Sequence, residues 1–149
     1  MGGPTVDGMA LSKHEREQFL AQPHIGALSV VERSDRAPLT VPIWYQYAPG
    51  SELWVHTETA SRKAEAVRAA GRFSLMVQRV DPTVRYVTAE GPVTSIDAGS
   101  PEQAREMAAR YLPADKVDEF LQHEQDQLGE AIIISMRPEH WVSADLGAL

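Results

Sequence analysis

Between Trp54 and Gly71 the sequence changes its period, and the change falls on a cluster of hydroxyls and cations. Trp54-Val55-His56-Thr57-Glu58 alternates as a strand does, whereas Arg62 to Ala70 is Ala-rich and closed by Gly71, as a helix is. Arg62 and Lys63 then stand in a first helical turn, facing the positive end of the helix dipole, where most helices place Asp or Glu. An anion seated there reverses the sign of that interaction. Free backbone N–H groups, the hydroxyls of Thr57, Thr59 and Ser61, and the charges of Arg62 and Lys63 together suit a phosphate monoester. The same residues are also compatible with a solvated basic turn.

Other chemistry is poorly provided for. The chain has no cysteine, so disulfides, thiolate catalysis and Cys-based zinc sites are excluded, and its five histidines show no metal-ligand spacing such as H-x-x-x-H. Glu58 and Glu90 read as surface or strand-edge carboxylates, and no catalytic acid, base or triad is nominated. With 21 acidic against 14 basic residues the net charge is −7, which excludes nucleic acid as a partner. No apolar run approaches the roughly 20 residues of a membrane span, and no signal-peptide core is visible, so a cytoplasmic protein is expected.

The elements that must position the junction follow from local signals. At 149 residues the chain is read as a flexible arm over residues 1–11 and one domain over residues 12–149. Ser12 and Glu15 form a capping box for a short helix that stops before Pro23. Strands are expected over residues 24–31, 38–47, 53–57, 73–78, 84–96 and 131–136, with hairpin chemistry at Pro49-Gly50-Ser51. Pro42 inside the second strand implies an edge, a bulge or a segment facing a ligand. Beside it Trp44 offers a flat aromatic surface, although a core position is the commoner fate of such a tryptophan. Gly91-Pro92 is read as a bulge or bend in the long fifth strand. Ser100-Pro101-Glu102-Gln103 starts a helix that Pro113 breaks, and a second follows to about Gln127 with Val117, Phe120, Leu121 and Leu128 as its apolar stripe. Residues 137–142 turn into the tail. The class is mostly β, α+β: a six-stranded antiparallel barrel with peripheral helices.

Such a barrel with a strand–phosphate–helix junction after strand three resembles the pyridoxamine 5'-phosphate oxidase-like FMN-binding split-barrel family. The likeness is carried by Thr57 to Ala64, by Pro38 to Trp44 and by Arg72 to Val77. It implies that Thr57, Ser61, Arg62 and Lys63, with His56 beside them, hold the phosphate of FMN. It also implies that Val41, Pro42, Ile43 and Trp44 meet the edge of the flavin ring. A homodimer is implied as well, the partner chain contributing Arg85, Tyr86 and Trp141 to the cofactor site. Tyr86 stands where the oxidases often present glutamine, and Arg137 and His140 are spaced differently from their substrate-phosphate grip. Both departures point away from vitamin B6 oxidation. A neighbouring branch with a serine-x-lysine motif makes the deazaflavin coenzyme F-420 the alternative cofactor. The implied activity is hydride transfer to or from a small conjugated molecule, with a non-catalytic flavin or haem binder as the further alternative.

Overall fold

The computed structural model describes residues 9–127 and 129–148. Met1 to Gly8, most of the expected arm, lie outside the described residues, as does Leu128 of the expected apolar stripe. Leu11, also assigned to the arm, is instead buried in the core, and its N–H donates to Ser143 Oγ at 3.3 Å.

Helix α1 (Lys13–Ala21) begins on the expected box, with the Ser12 hydroxyl accepting from the Glu15 N–H while the Glu15 carboxylate accepts from the Ser12 N–H. It buries Phe19 and Leu20. Strands β1 (Gly26–Val30), β2 (Leu39–Ile43), β3 (Tyr45–Gln46) and β4 (Leu53–Glu58) lead to helix α2 (Arg62–Ala70), which Gly71 ends in the left-handed conformation at φ 72°. Then come β5 (Arg72–Arg79), β6 (Arg85–Ala98), helices α3 (Pro101–Tyr111) and α4 (Ala114–Gln127), β7 (Ala131–Met136) and β8 (His140–Asp145). All strand pairs are antiparallel, in the order β2-β1-β5-β6-β7-β4-β3, with β8 added on β6. The result is a mostly-β α+β fold with a curled sheet, and alternate residues of most strands supply its apolar core.

Among the described residues there are eight strands, which differ from the expected six in two places. The run from Leu39 to Gln46, expected as one strand, pairs with β1 up to Ile43 and with β4 from Tyr45, so it is split at Trp44. The segment after Arg137, expected as a turn, continues as β8 along the first half of β6.

At the split a side chain takes over backbone hydrogen bonding. The Tyr45 N–H donates to Tyr111 Oη at 3.1 Å, and the Tyr111 hydroxyl lies 2.8 Å from the His24 carbonyl, to which it donates. The Tyr111 ring stacks on Trp44, centroids 4.8 Å apart and planes 15° from parallel. One residue of α3 therefore pins the point where the sheet changes partners.

Gly91 plays a different part from the expected bend. The β5–β6 register runs unbroken through Phe73↔Gly91, and the irregularity lies between Val93 and Ser95, against β7. What Gly91 provides is room: an added Cβ would sit 1.8 Å from the Arg137 carbonyl oxygen, where the chain crosses from β7 to β8.

Two substitutions test these joints. Gly91→Ala must push Arg137 aside, and the expected cost of about 3 kcal/mol or more appears as a lowered urea midpoint or loss of soluble protein. Tyr111→Phe leaves the Tyr45 N–H and the His24 carbonyl without their partner, for an expected loss of about 1–3 kcal/mol in the same measurement.

Candidate functional site

The junction picked out by its chemistry is built as the sequence suggests locally. Ser61 is the N-cap of α2, its hydroxyl accepting from the Ala64 N–H at 3.2 Å, and the Thr57 hydroxyl lies 3.3 Å from it. Thr57 itself is buried, at the end of β4. The N–H groups of Arg62 and Lys63, the first two residues of the helix, have no backbone or side-chain acceptor among the described residues, as the opening positions of any helix require. Two hydroxyls, two free N–H groups and the dipole thus converge at one place.

The two cations part company. Lys63 lines a cavity of about 840 Å³ together with His56, Thr57, Glu58 and Ser61. Arg62 does not line it; its guanidinium makes a two-pronged ion pair with Glu32 at 2.7 and 2.8 Å, on the exposed side of the helix. Each partner holds the other charged: the Arg62 guanidinium lowers the Glu32 carboxyl, and Glu32 raises Arg62.

A second wall comes from the split strand. Pro42, Ile43 and Trp44 line the cavity, while Val41 lies outside it on the neighbouring surface groove. β2 pairs with β1 alone, so a proline on its other edge breaks no ladder. Trp44 is half-buried and already engaged, by Tyr111 in a stack and by Phe120 in a tilted contact at 5.1 Å. Continuing the register from Tyr45↔Val55 puts Trp44 level with His56, whose imidazole is pushed down from its ordinary value by burial.

Of the three residues assigned to the partner chain, two are used within this one. Arg85 is on the core-facing side of β6, paired with Asp145 at 2.9 Å, and Trp141 packs against the core with its ring edge-on to Tyr47 and under the Arg16 guanidinium. Thr83 and the Gly147 N–H also bond Asp145, and with Arg85 they hold its carboxyl down at about 2. Tyr86 alternates with buried Val87 and so belongs to the outer face of the sheet.

Sequence reasoning missed the third wall. The α3–α4 hairpin covers the cavity with Ala104, Arg105, Phe120, Leu121, Glu124 and Gln125. Arg105 is paired with Asp118 at 2.6 Å. The available signal was a carboxylate inside an apolar stripe, since Glu124 follows Phe120 by four residues and shares its face. Among the described residues no cluster of metal-ligating side chains occurs, and no helix is long and apolar enough to cross a membrane.

Comparison with known proteins agrees with this architecture. Among solved structures the chain is similar to a conserved hypothetical protein from Mycobacterium tuberculosis, with 23% identity, a TM-score of 0.68 and coverage of 92% of this chain and 86% of that one. It is also similar to an F-420 reductase, with 26% identity, a TM-score of 0.61 and coverage of 84% and 94%. An FAD-binding protein from Mesorhizobium loti shares the fold at 17% identity and a TM-score of 0.61, over 91% of this chain and 96% of that one. No curated protein matches. A family model described as pyridoxamine 5'-phosphate oxidase matches residues 12–142, and the chain belongs to that family.

Proposed function

We propose that this protein is an oxidoreductase that holds a phosphate-bearing flavin-type cofactor in the cavity between α2, the split strand and the α3–α4 hairpin. The observation that carries the reading is Lys63: it is a cavity-lining cation at a helix start whose first two N–H groups have no acceptor among the described residues, beside the paired hydroxyls of Thr57 and Ser61. Thr57, Ser61 and Lys63 hold the phosphate. Pro42, Ile43 and Trp44 flank the ring. The volume of about 840 Å³ suits a ring system with its side chain and a small substrate. When bound, the cofactor supplies the redox chemistry, while these residues bind, orient and exclude water.

FMN is the first reading of the cofactor. The deazaflavin coenzyme F-420 is the second, favoured by the 26% identity with an F-420 reductase over most of both chains. The substrate is a small conjugated molecule.

A second copy of the chain completes the site. Supporting this, a smaller groove of about 320 Å³ runs over the outer face of β1, β2 and β5 and shares Ile25 and Pro42 with the main cavity. The same face continues to Tyr86 and to Val142, which is 57% exposed. A partner laid on it reaches the cofactor edge with Tyr86 rather than with Arg85 or Trp141.

Two experiments test the proposal. In a fluorescence titration with FMN, Lys63→Ala loses about tenfold to a hundredfold in affinity, whereas Arg62→Ala, whose side chain serves Glu32, changes it less than about threefold. Equal losses would return Arg62 to the site. In sedimentation, the protein runs at twice the chain mass, and Val142→Glu shifts it to the single-chain mass.

A further inference from the structure

The two helices of the hairpin are held unequally. α3 is tied to the body of the fold by Tyr111, which bonds Tyr45 and His24, by Arg110, which donates to the Ala21 and Gln22 carbonyls, and by Glu106, which accepts from Gln46 Nε2 at 3.2 Å. Among the described residues α4 has a single hydrogen-bonded tie to another element, the exposed Arg105–Asp118 pair at 2.6 Å. An exposed pair of that kind holds weakly. The apolar stripe of α4 is also only partly used: Val117 is buried, but Phe120 and Leu121, one turn on, are half-exposed and line the cavity.

Opposite walls of the cavity change character in the same direction. On the sheet side Pro42, Ile43 and Trp44 give way to Thr57, Ser61 and Lys63. On the helical side Phe120 meets Trp44, and α4 then leads on toward Gly129, where an added Cβ would lie 2.9 Å from Glu58 Oε1, so Glu124 and Gln125 stand toward the polar end. The cavity's lysine and arginine are both engaged away from the apolar end, Lys63 at the start of α2 and Arg105 with Asp118. His56, level with Trp44, is held toward its neutral form by burial. An anionic group at the apolar end would therefore be desolvated without a counter-charge. We propose that α4 is the substrate-specificity element of this cavity: Phe120 and Leu121 close on a planar apolar ring that carries no anionic group and seat it against Trp44 and Ile25. The inference rests on the cofactor reading for the identity of the site and adds the class of substrate and the residues that select it. A weakly tied helix yields to the ring, while α3 keeps the joint of the sheet in place.

Two bicyclic probes of similar size test this by calorimetric titration of the full chain, both as purified and saturated with FMN: menadione, an uncharged naphthoquinone, and naphthalene-1-sulfonate, a fixed anion. The wild type binds menadione about tenfold or more tighter than the sulfonate. Phe120→Ala and Leu121→Ala each weaken menadione about threefold to tenfold, while FMN affinity falls less than about threefold. In hydrogen exchange of the wild type, the amides of α4 exchange faster than those of α3, and menadione slows α4 selectively. Three results overturn the proposal: no menadione binding or binding no tighter than that of the sulfonate, wild-type menadione affinity in both variants, or exchange in α4 that bound menadione leaves unchanged. The cofactor reading fails separately, if Lys63→Ala retains FMN as the wild type does, and the titrations without added FMN still report on the α4 wall.

Discussion

One strand has to serve two neighbours, and the cavity exists because of how it does so. Residues 39–46 leave β1 at Ile43 and join β4 at Tyr45, and between these pairings the backbone must find other partners or remain unsatisfied. Tyr111 supplies them from α3, accepting from Tyr45 and donating to His24, while its ring holds Trp44. Arg110 beside it donates to the carbonyls of Ala21 and Gln22 and to the Gln46 side chain. The helical hairpin is therefore anchored at the joint of the sheet, and residues of its second helix line the space. Positioning of Trp44, Phe120 and Glu124 follows from that single anchorage.

Electrostatically, the site separates cations that the sequence sets side by side. Successive residues in a helix point about a hundred degrees apart, so Arg62 and Lys63 cannot both face one groove without distortion. The fold gives Arg62 to Glu32, an exposed pair of small energetic value, and leaves Lys63 for the cavity. In a chain of net charge −7, Lys63 thus keeps its charge at the start of α2, where the helix dipole adds to it.

What was legible in the sequence was local. The Ser12 and Ser100 capping boxes, the Ser61 cap with Gly71 as terminator, and the alternation of β4 and β5 all rest on contacts within a few residues, and each stands where the spacing put it. The resemblance drawn from the junction and the strand before it agrees with the family match. The last strand was not legible because its core-facing positions include Ser143 and Asp145, whose partners are Leu11, Thr83 and Arg85, all more than fifty residues away. Its exposed Val142 inverts the usual pattern. Nor does spacing reveal that Glu32 claims Arg62, or that α4 turns its carboxylate inward. Those are facts of tertiary juxtaposition, which a helical wheel does not contain.

The bond between the Leu11 N–H and Ser143 Oγ spans 132 positions of sequence in 3.3 Å of space. Few additional residues would be needed to join the stretch after Asp145 back to Leu11, so the fold is topologically close to a ring. Its connectivity can then be reopened at an exposed turn such as Pro49-Gly50-Ser51 with each strand pairing intact. Such a circular permutant would give the chain new ends on the turn between β3 and β4.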